Sequence, residues 1–122
     1  MKKILFIEDE SALQRAVTQI LKRDGYEVLS ALDGEAGLTL ALRELPDLIL
    51  LDLILPKKDG FFVLKELKAD PRAKNIPIII LTNLEGALDV EKTLELGATT
   101  YLVKTSYRLE EVVEKIKQVL GE

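Results

Sequence analysis

Apolar residues along this chain follow two rhythms. Short unbroken runs occur at Ile4-Leu5-Phe6-Ile7, Leu48-Ile49-Leu50-Leu51, Ile78-Ile79-Ile80-Leu81 and Tyr101-Leu102-Val103, each closed by polar residues. Runs this short, without alternation, have the habit of strands buried on both faces of a parallel sheet. Glu27-Val28-Leu29-Ser30-Ala31 is more polar, as suits an edge strand. Between the runs the apolar residues recur at helical spacing. Leu13, Ala16, Val17, Ile20 and Leu21 mark a first helix reaching Asp24, with Ser11 and Gln14 spaced as a capping box and Gly25 as the closing cap. A second helix over 35–44 turns Ala36, Leu40 and Ala41 inward and cannot pass Pro46. A third starts at Gly60, uses Phe61, Phe62, Leu64 and Leu67, and ends at Asp70-Pro71. The fourth spans 87–96 before Gly97, and the last spans 106–120 with Val112, Val113, Ile116, Val119 and Leu120 inward. Strands and helices in strict alternation predict an α/β fold whose right-handed crossovers cover both faces of one parallel sheet.

Length and composition narrow the picture. The 122 residues suit a single domain over 1–122 with a real core and no linker. A net charge of -4 gives no electrostatic reason to expect nucleic acid or an anionic membrane as a partner. With no cysteine and no histidine, disulfides, thiolate zinc sites, Ser-His pairs and imidazole-bound metals are all excluded. A resident metal must therefore be a hard cation held by oxygen. Only four apolar residues separate Lys3 from Glu8, too few for a signal-peptide core or a membrane span, so a cytoplasmic protein is expected.

The ends of the runs carry the candidate chemistry. They are Glu8-Asp9-Glu10, Asp52, Thr82-Asn83 and Lys104-Thr105. In a parallel sheet these ends share one edge, where ligands bind at the point of reversed strand order. Singly, each has a plain reading: Glu8-Asp9 as a helix cap, Asp52 as a turn residue, Thr82 as a strand end, Lys104 as a solvated cation. Together they describe a site. Glu8, Asp9 and Asp52 in proximity repel one another unless a cation sits among them, and two or three carboxylates with water suit Mg2+. With Lys104 for a phosphoryl oxygen and Thr82 as a hydroxyl donor, the set can perform phosphoryl transfer in which the protein itself is the acceptor, as an aspartyl phosphate.

On these residues the chain resembles the receiver domains of two-component response regulators, of the chemotaxis-regulator type. The resemblance covers nearly the whole chain. It rests on Glu8-Asp9, on Asp52-Leu53-Ile54-Leu55-Pro56-Lys57-Lys58-Asp59-Gly60, on Thr82, and on Tyr101 three residues before Lys104. It implies a flavodoxin-like doubly wound sheet of order 2-1-3-4-5. It further implies Asp52 as phosphoacceptor, Glu8, Asp9, Asp52 and the Ile54 carbonyl as Mg2+ ligands, Lys104 as phosphoryl partner, and Thr82 with Tyr101 as the switch pair. The implied partners are a histidine kinase or histidine phosphotransfer protein, and a downstream target on the face of the fourth helix, fifth strand and fifth helix. Such a protein is no enzyme beyond its own phosphorylation and dephosphorylation.

Three departures from the family pattern stand out. Thr105 follows Lys104 where proline is usual, Asn83 follows Thr82 where a small residue is usual, and Leu55 replaces a common Met. A cis peptide costs roughly 2.5–4 kcal/mol before a non-proline residue, so the Lys104-Thr105 bond is expected to be trans. A phosphorylation-independent interaction module of the same fold is the alternative, although it has no need of Asp52, Thr82 and Lys104. A flavin-binding or hydrolytic enzyme fits less well, since the chain lacks a Gly-rich phosphate loop and Asp52-Leu53-Ile54 lacks a second carboxylate.

Overall fold

The computed structural model describes residues 1–122. Its elements run β1 (Lys3–Ile7), α1 (Ser11–Arg23), β2 (Glu27–Ala31), α2 (Gly34–Glu44), β3 (Leu48–Leu51), α3 (Gly60–Ala69), β4 (Ile78–Thr82), α4 (Ala87–Glu95), β5 (Thr100–Val103) and α5 (Leu109–Leu120). All strand pairs are parallel, in the order β2-β1-β3-β4-β5. The expected doubly wound architecture is therefore present. Successive side chains of a strand point to opposite faces, so each run feeds two cores. Ile4, Phe6, Leu48, Leu50, Ile79 and Leu81 pack with Val17 and Leu21 of α1 and Val112, Val113 and Ile116 of α5. Leu5, Ile7, Ile49, Leu51, Ile78 and Ile80 pack instead with Ala41 of α2 and Val63, Leu64 and Leu67 of α3. β2 has the partly exposed pattern expected of an edge, and Gly25 takes a positive φ of 95° just past α1.

Several expectations from periodicity need correction. The capping box at Ser11 and Gln14 does not form: the N-cap of α1 is Glu10, without a side-chain cap, and Ser11 is already helical. Gln14 turns inward to backbone carbonyls. In α2 the buried residues are Gly34, Gly37 and Ala41, and Leu40 packs half-buried against the same core as expected, while Ala36 faces out. A side chain at Gly37 would collide with Ile7, and a Cβ there would fall 2.6 Å from Ile7 Cδ1, so only glycine admits this packing. In α3, Val63 takes the buried place expected for Phe62, which is 37% exposed with the Lys58 ammonium 4.9 Å above its ring. The last helix starts at Leu109, three residues later than expected. Residues Lys104–Ser106 form a separate 3-10 turn, and Glu111 Oε1 accepts the Arg108 N–H at 2.8 Å to open α5.

Candidate functional site

β1 and β3 lie side by side with Ile7 opposite Leu51, so the residues that follow them, Glu8 and Asp52, emerge together. The ladder extends one step beyond the strands, because Asp52 N–H donates to Ile7 O at 3.1 Å. β4 and β5 are registered with Thr82 opposite Val103, which puts Lys104 next in line. The four strand ends thus bring Glu8, Asp52, Thr82 and Lys104 to one edge, as the run endings implied.

Lys104 is the centre of the cluster. Its Nζ lies 2.9 Å from Asp52 Oδ2, 2.9 Å from Glu8 Oε1 and 3.5 Å from Glu10 Oε1. Burial works against the charged ammonium, yet the Glu8 and Asp52 carboxylates outweigh it and raise the Lys104 pKa above the ordinary lysine value. Asp52 is 3% exposed, and its other oxygen accepts the Ile54 N–H at 3.2 Å. Glu8 is wholly buried, and burial pushes its carboxyl up to about 7 against the pull of Lys104 and of the Glu10 N–H, with the Asp52 charge adding to the rise. Its Oε2 accepts the Glu10 N–H at 3.0 Å. Oε1 meets Lys104 off the direction of a hydrogen bond and retains unmet acceptor capacity despite its burial.

Carboxylate oxygens of Glu8, Asp9 and Asp52 lie within 4.8 Å of one another, with Asp9 exposed at the mouth. Two buried acids, one exposed acid and an under-satisfied Glu8 oxygen fit a hard divalent cation. The donor set is all oxygen, as the absence of histidine and cysteine requires.

The loop after Asp52 is tightly closed. Leu53 is buried, Ile54 points outward at 54% exposure, and Lys57 takes a positive φ of 68°. Gly60 N–H donates back to Leu53 O at 2.9 Å, and Asp59 Oδ1 caps α3 by accepting the Phe62 N–H at 2.9 Å. Gly34, at the start of α2, packs directly on this loop. A Cβ there would fall 1.7 Å from Lys58 O. Thr82 is fully buried, and its hydroxyl accepts a long bond of 3.5 Å from Leu84 N. Tyr101 donates its hydroxyl to Leu84 O at 2.7 Å, which ties β5 to the segment after Thr82. Burial first, then the Asp89 and Asp52 charges, raises the Tyr101 pKa. No peptide bond is cis, so Lys104-Thr105 is trans as expected. The larger cavity, about 350 Å3, opens between β2 and α2 and is lined by none of Glu8, Asp52, Thr82 or Lys104.

The run endings assign no role to two further site residues. Glu10 is a third acid against Lys104, and its signal was its place in the acidic triplet. Gln14 Nε2 donates to the carbonyls of Phe6, Glu8 and Ala31 at this same edge. Its signal was a polar residue on the stripe that Val17 and Leu21 continue.

Comparison with known proteins agrees with this geometry. The family model described as response regulator receiver domain matches residues 4–117. The response regulator PleD of Caulobacter vibrioides is 42% identical over 102 residues, covering 84% of this chain and 22% of that protein. The Mn(2+)-bound form of response regulator Rcp1 is 38% identical with a TM-score of 0.86, over 96% of this chain and 92% of that one. A CheY-like receiver domain protein from Methanospirillum hungatei is 29% identical with a TM-score of 0.92, over 99% and 94%. The chain spans between 22% and 49% of the length of curated relatives such as PleD and the Synechocystis regulator RpaA.

Proposed function

The chain belongs to the response regulator receiver domain family, the phosphorylation-activated receivers of two-component systems, and from that premise we propose how its own residues do this work. Asp52 is the acceptor: a carboxylate oxygen attacks the phosphorus of a phosphohistidine on a histidine kinase or phosphotransfer protein. The new O–P bond forms as the N–P bond breaks, and the electron pair stays on the imidazole nitrogen, which then takes a proton. The Ile54 N–H holds one Asp52 oxygen in place. Lys104 stands at the other and is positioned to follow the phosphoryl group as its oxygens arrive, giving a charge-assisted contact. Glu8, Asp9, Asp52 and the Ile54 carbonyl are the residues that would hold Mg2+. When bound, the ion neutralises charge on the transferring group and relieves repulsion among the acids.

The observation that carries this reading is Lys104 Nζ at 2.9 Å from both Asp52 and Glu8, within a cluster of acids that needs a cation. The output is a two-state change. Thr82 moves toward the phosphoryl group, Tyr101 exchanges its hold on Leu84 O, and the surface of α4, β5 and α5 changes for a downstream protein. On this reading the domain from 1 to 122 acts as one unit in the cytoplasm, touches neither nucleic acid nor membrane itself, and catalyses only its own phosphorylation and dephosphorylation. No helix is long and apolar enough to cross a membrane.

The test is incubation with Mg2+ and a small acyl phosphate, followed by intact mass. The parent gains one phosphoryl group and Asp52→Asn, which keeps the shape but loses the nucleophile, gains none. Equal labelling of the two sinks Asp52 as acceptor, and no labelling of the parent favours a phosphorylation-independent module.

A further inference from the structure

We propose that Gln14 is a positioning residue for the acids that hold the cation, an inference that rests on the reading of Glu8, Asp9 and Asp52 as a Mg2+ site. The backbone ladder between β1 and β2 ends at this edge. Glu8 N–H donates to Ala31 O at 3.0 Å as its last rung, and no backbone N–H reaches Glu8 O. Gln14, 8% exposed in the first turn of α1, supplies the missing donor. Its Nε2 lies 3.0 Å from Ala31 O, 3.2 Å from Glu8 O and 3.3 Å from Phe6 O. The amide clasps the two strand ends where the backbone cannot.

Glu8 is consequently fixed at three points: its N–H on Ala31, its carbonyl on Gln14, and its Oε2 on the Glu10 N–H. This is what a buried ligand requires. An acid whose backbone is held on both sides does not have to be ordered when the cation arrives, and groups that orient a metal ligand from behind raise affinity in the same way. A neutral amide also suits the place. It brings two N–H donors without adding charge to a cluster that already sets Glu8, Glu10 and Asp52 against the single ammonium of Lys104. Removing those donors orphans Glu8 O, whereas Ala31 O keeps the Glu8 N–H.

The experiment measures Mg2+ binding to the unphosphorylated protein by titration calorimetry, with urea unfolding alongside. Gln14→Met keeps the volume without the donors, and Gln14→Asn keeps an amide too short to reach. Ile20→Ala serves as a control: it weakens the packing of α1 on the α5 side of the sheet, away from Glu8. The Mg2+ dissociation constant should rise about tenfold or more in both Gln14 variants, the effect typical of removing such a supporting contact. In Ile20→Ala it should stay at the parent value although the urea midpoint falls. At saturating Mg2+ the Gln14 variants should regain the parent rate of phosphorylation, which a damaged fold does not do. If Gln14→Met does not fold, Gln14→Asn decides. A dissociation constant within twofold of the parent, or an equal rise in Ile20→Ala, reduces Gln14 to a structural role and overturns the inference while leaving the proposed function standing. A parent that binds no Mg2+ overturns the proposed function itself, and this inference with it.

Discussion

Replacing Gly60 with alanine sets helix propensity against packing directly beneath the acceptor. Gly60 is the first residue of α3, and a Cβ added there falls 2.3 Å from Asp52 O and 2.6 Å from Leu53 Cα. Comfortable carbon contacts begin near ~3.5 Å, so either α3 or the end of β3 must move by about 1 Å. Neither is free to do so. Leu53 is 1% exposed in the α2–α3 core, and Gly60 N–H is bonded to Leu53 O. Overpacking of this kind costs about 1–3 kcal/mol, against a gain of at most about 1 kcal/mol from preferring Ala to Gly in a helix. The packing term wins, leaving a net loss of about 2 kcal/mol at the upper end of that range. A domain of this size has roughly 6–18 kcal/mol of stability, so the variant still folds. With a urea slope of about 1–3 kcal/mol/M, the midpoint should fall by about 1 M. Because the displaced atom is the carbonyl of Asp52 itself, phosphorylation by acyl phosphate should slow even where the variant is fully folded. A Gly60→Ala protein with an unchanged or higher urea midpoint refutes the reasoning, since propensity would then have outweighed contact.

Two further expectations concern the phosphoryl group and the far end of the sheet. By the family resemblance, the side chains two residues after the acceptor and two after the switch hydroxyl are best placed to orient a hydrolytic water; here they are Ile54 and Leu84, neither of which can hydrogen-bond. The aspartyl phosphate should therefore decay slowly, and Ile54→Asn, Leu84→Glu and the less crowded Asn83→Ala should each shorten its half-life; phosphate release no faster than in the parent contradicts the shielding. At the other end, burial first and then the Glu122 hydrogen bond push the Tyr26 hydroxyl up to about 12. Its folded-state pKa exceeds the ordinary 10.0, so its contribution to stability is complete below about pH 10 and lost as pH climbs toward about 12. The difference in unfolding free energy between parent and Tyr26→Phe should narrow across that window, and a constant difference contradicts the assignment.

Much of this protein was legible in its residues alone. Runs such as Leu48–Leu51 and Ile78–Thr82 announce doubly buried strands, because a strand shielded on both faces has no polar alternation to show. Since parallel strands all end at one edge, the acids, hydroxyl and lysine that close those runs had to meet there, and Lys104 does sit between Glu8 and Asp52. The rotation of each helix was a different matter. Periodicity marks a stripe about two residues wide, and packing on the sheet decides which side of it is buried: Val63 rather than Phe62, Gly37 rather than Ala36. The start of α5 moved to Leu109 because residues 104–106 wind into a 3-10 turn. Gln14 is the plainest case. Its spacing from Ser11 fits a local cap, but its acceptors are carbonyls of β1 and β2, including Ala31, 17 positions away in sequence. Local spacing determines what a side chain can offer its own helix, whereas the donors and acceptors it meets from distant segments exist only once the strands have paired.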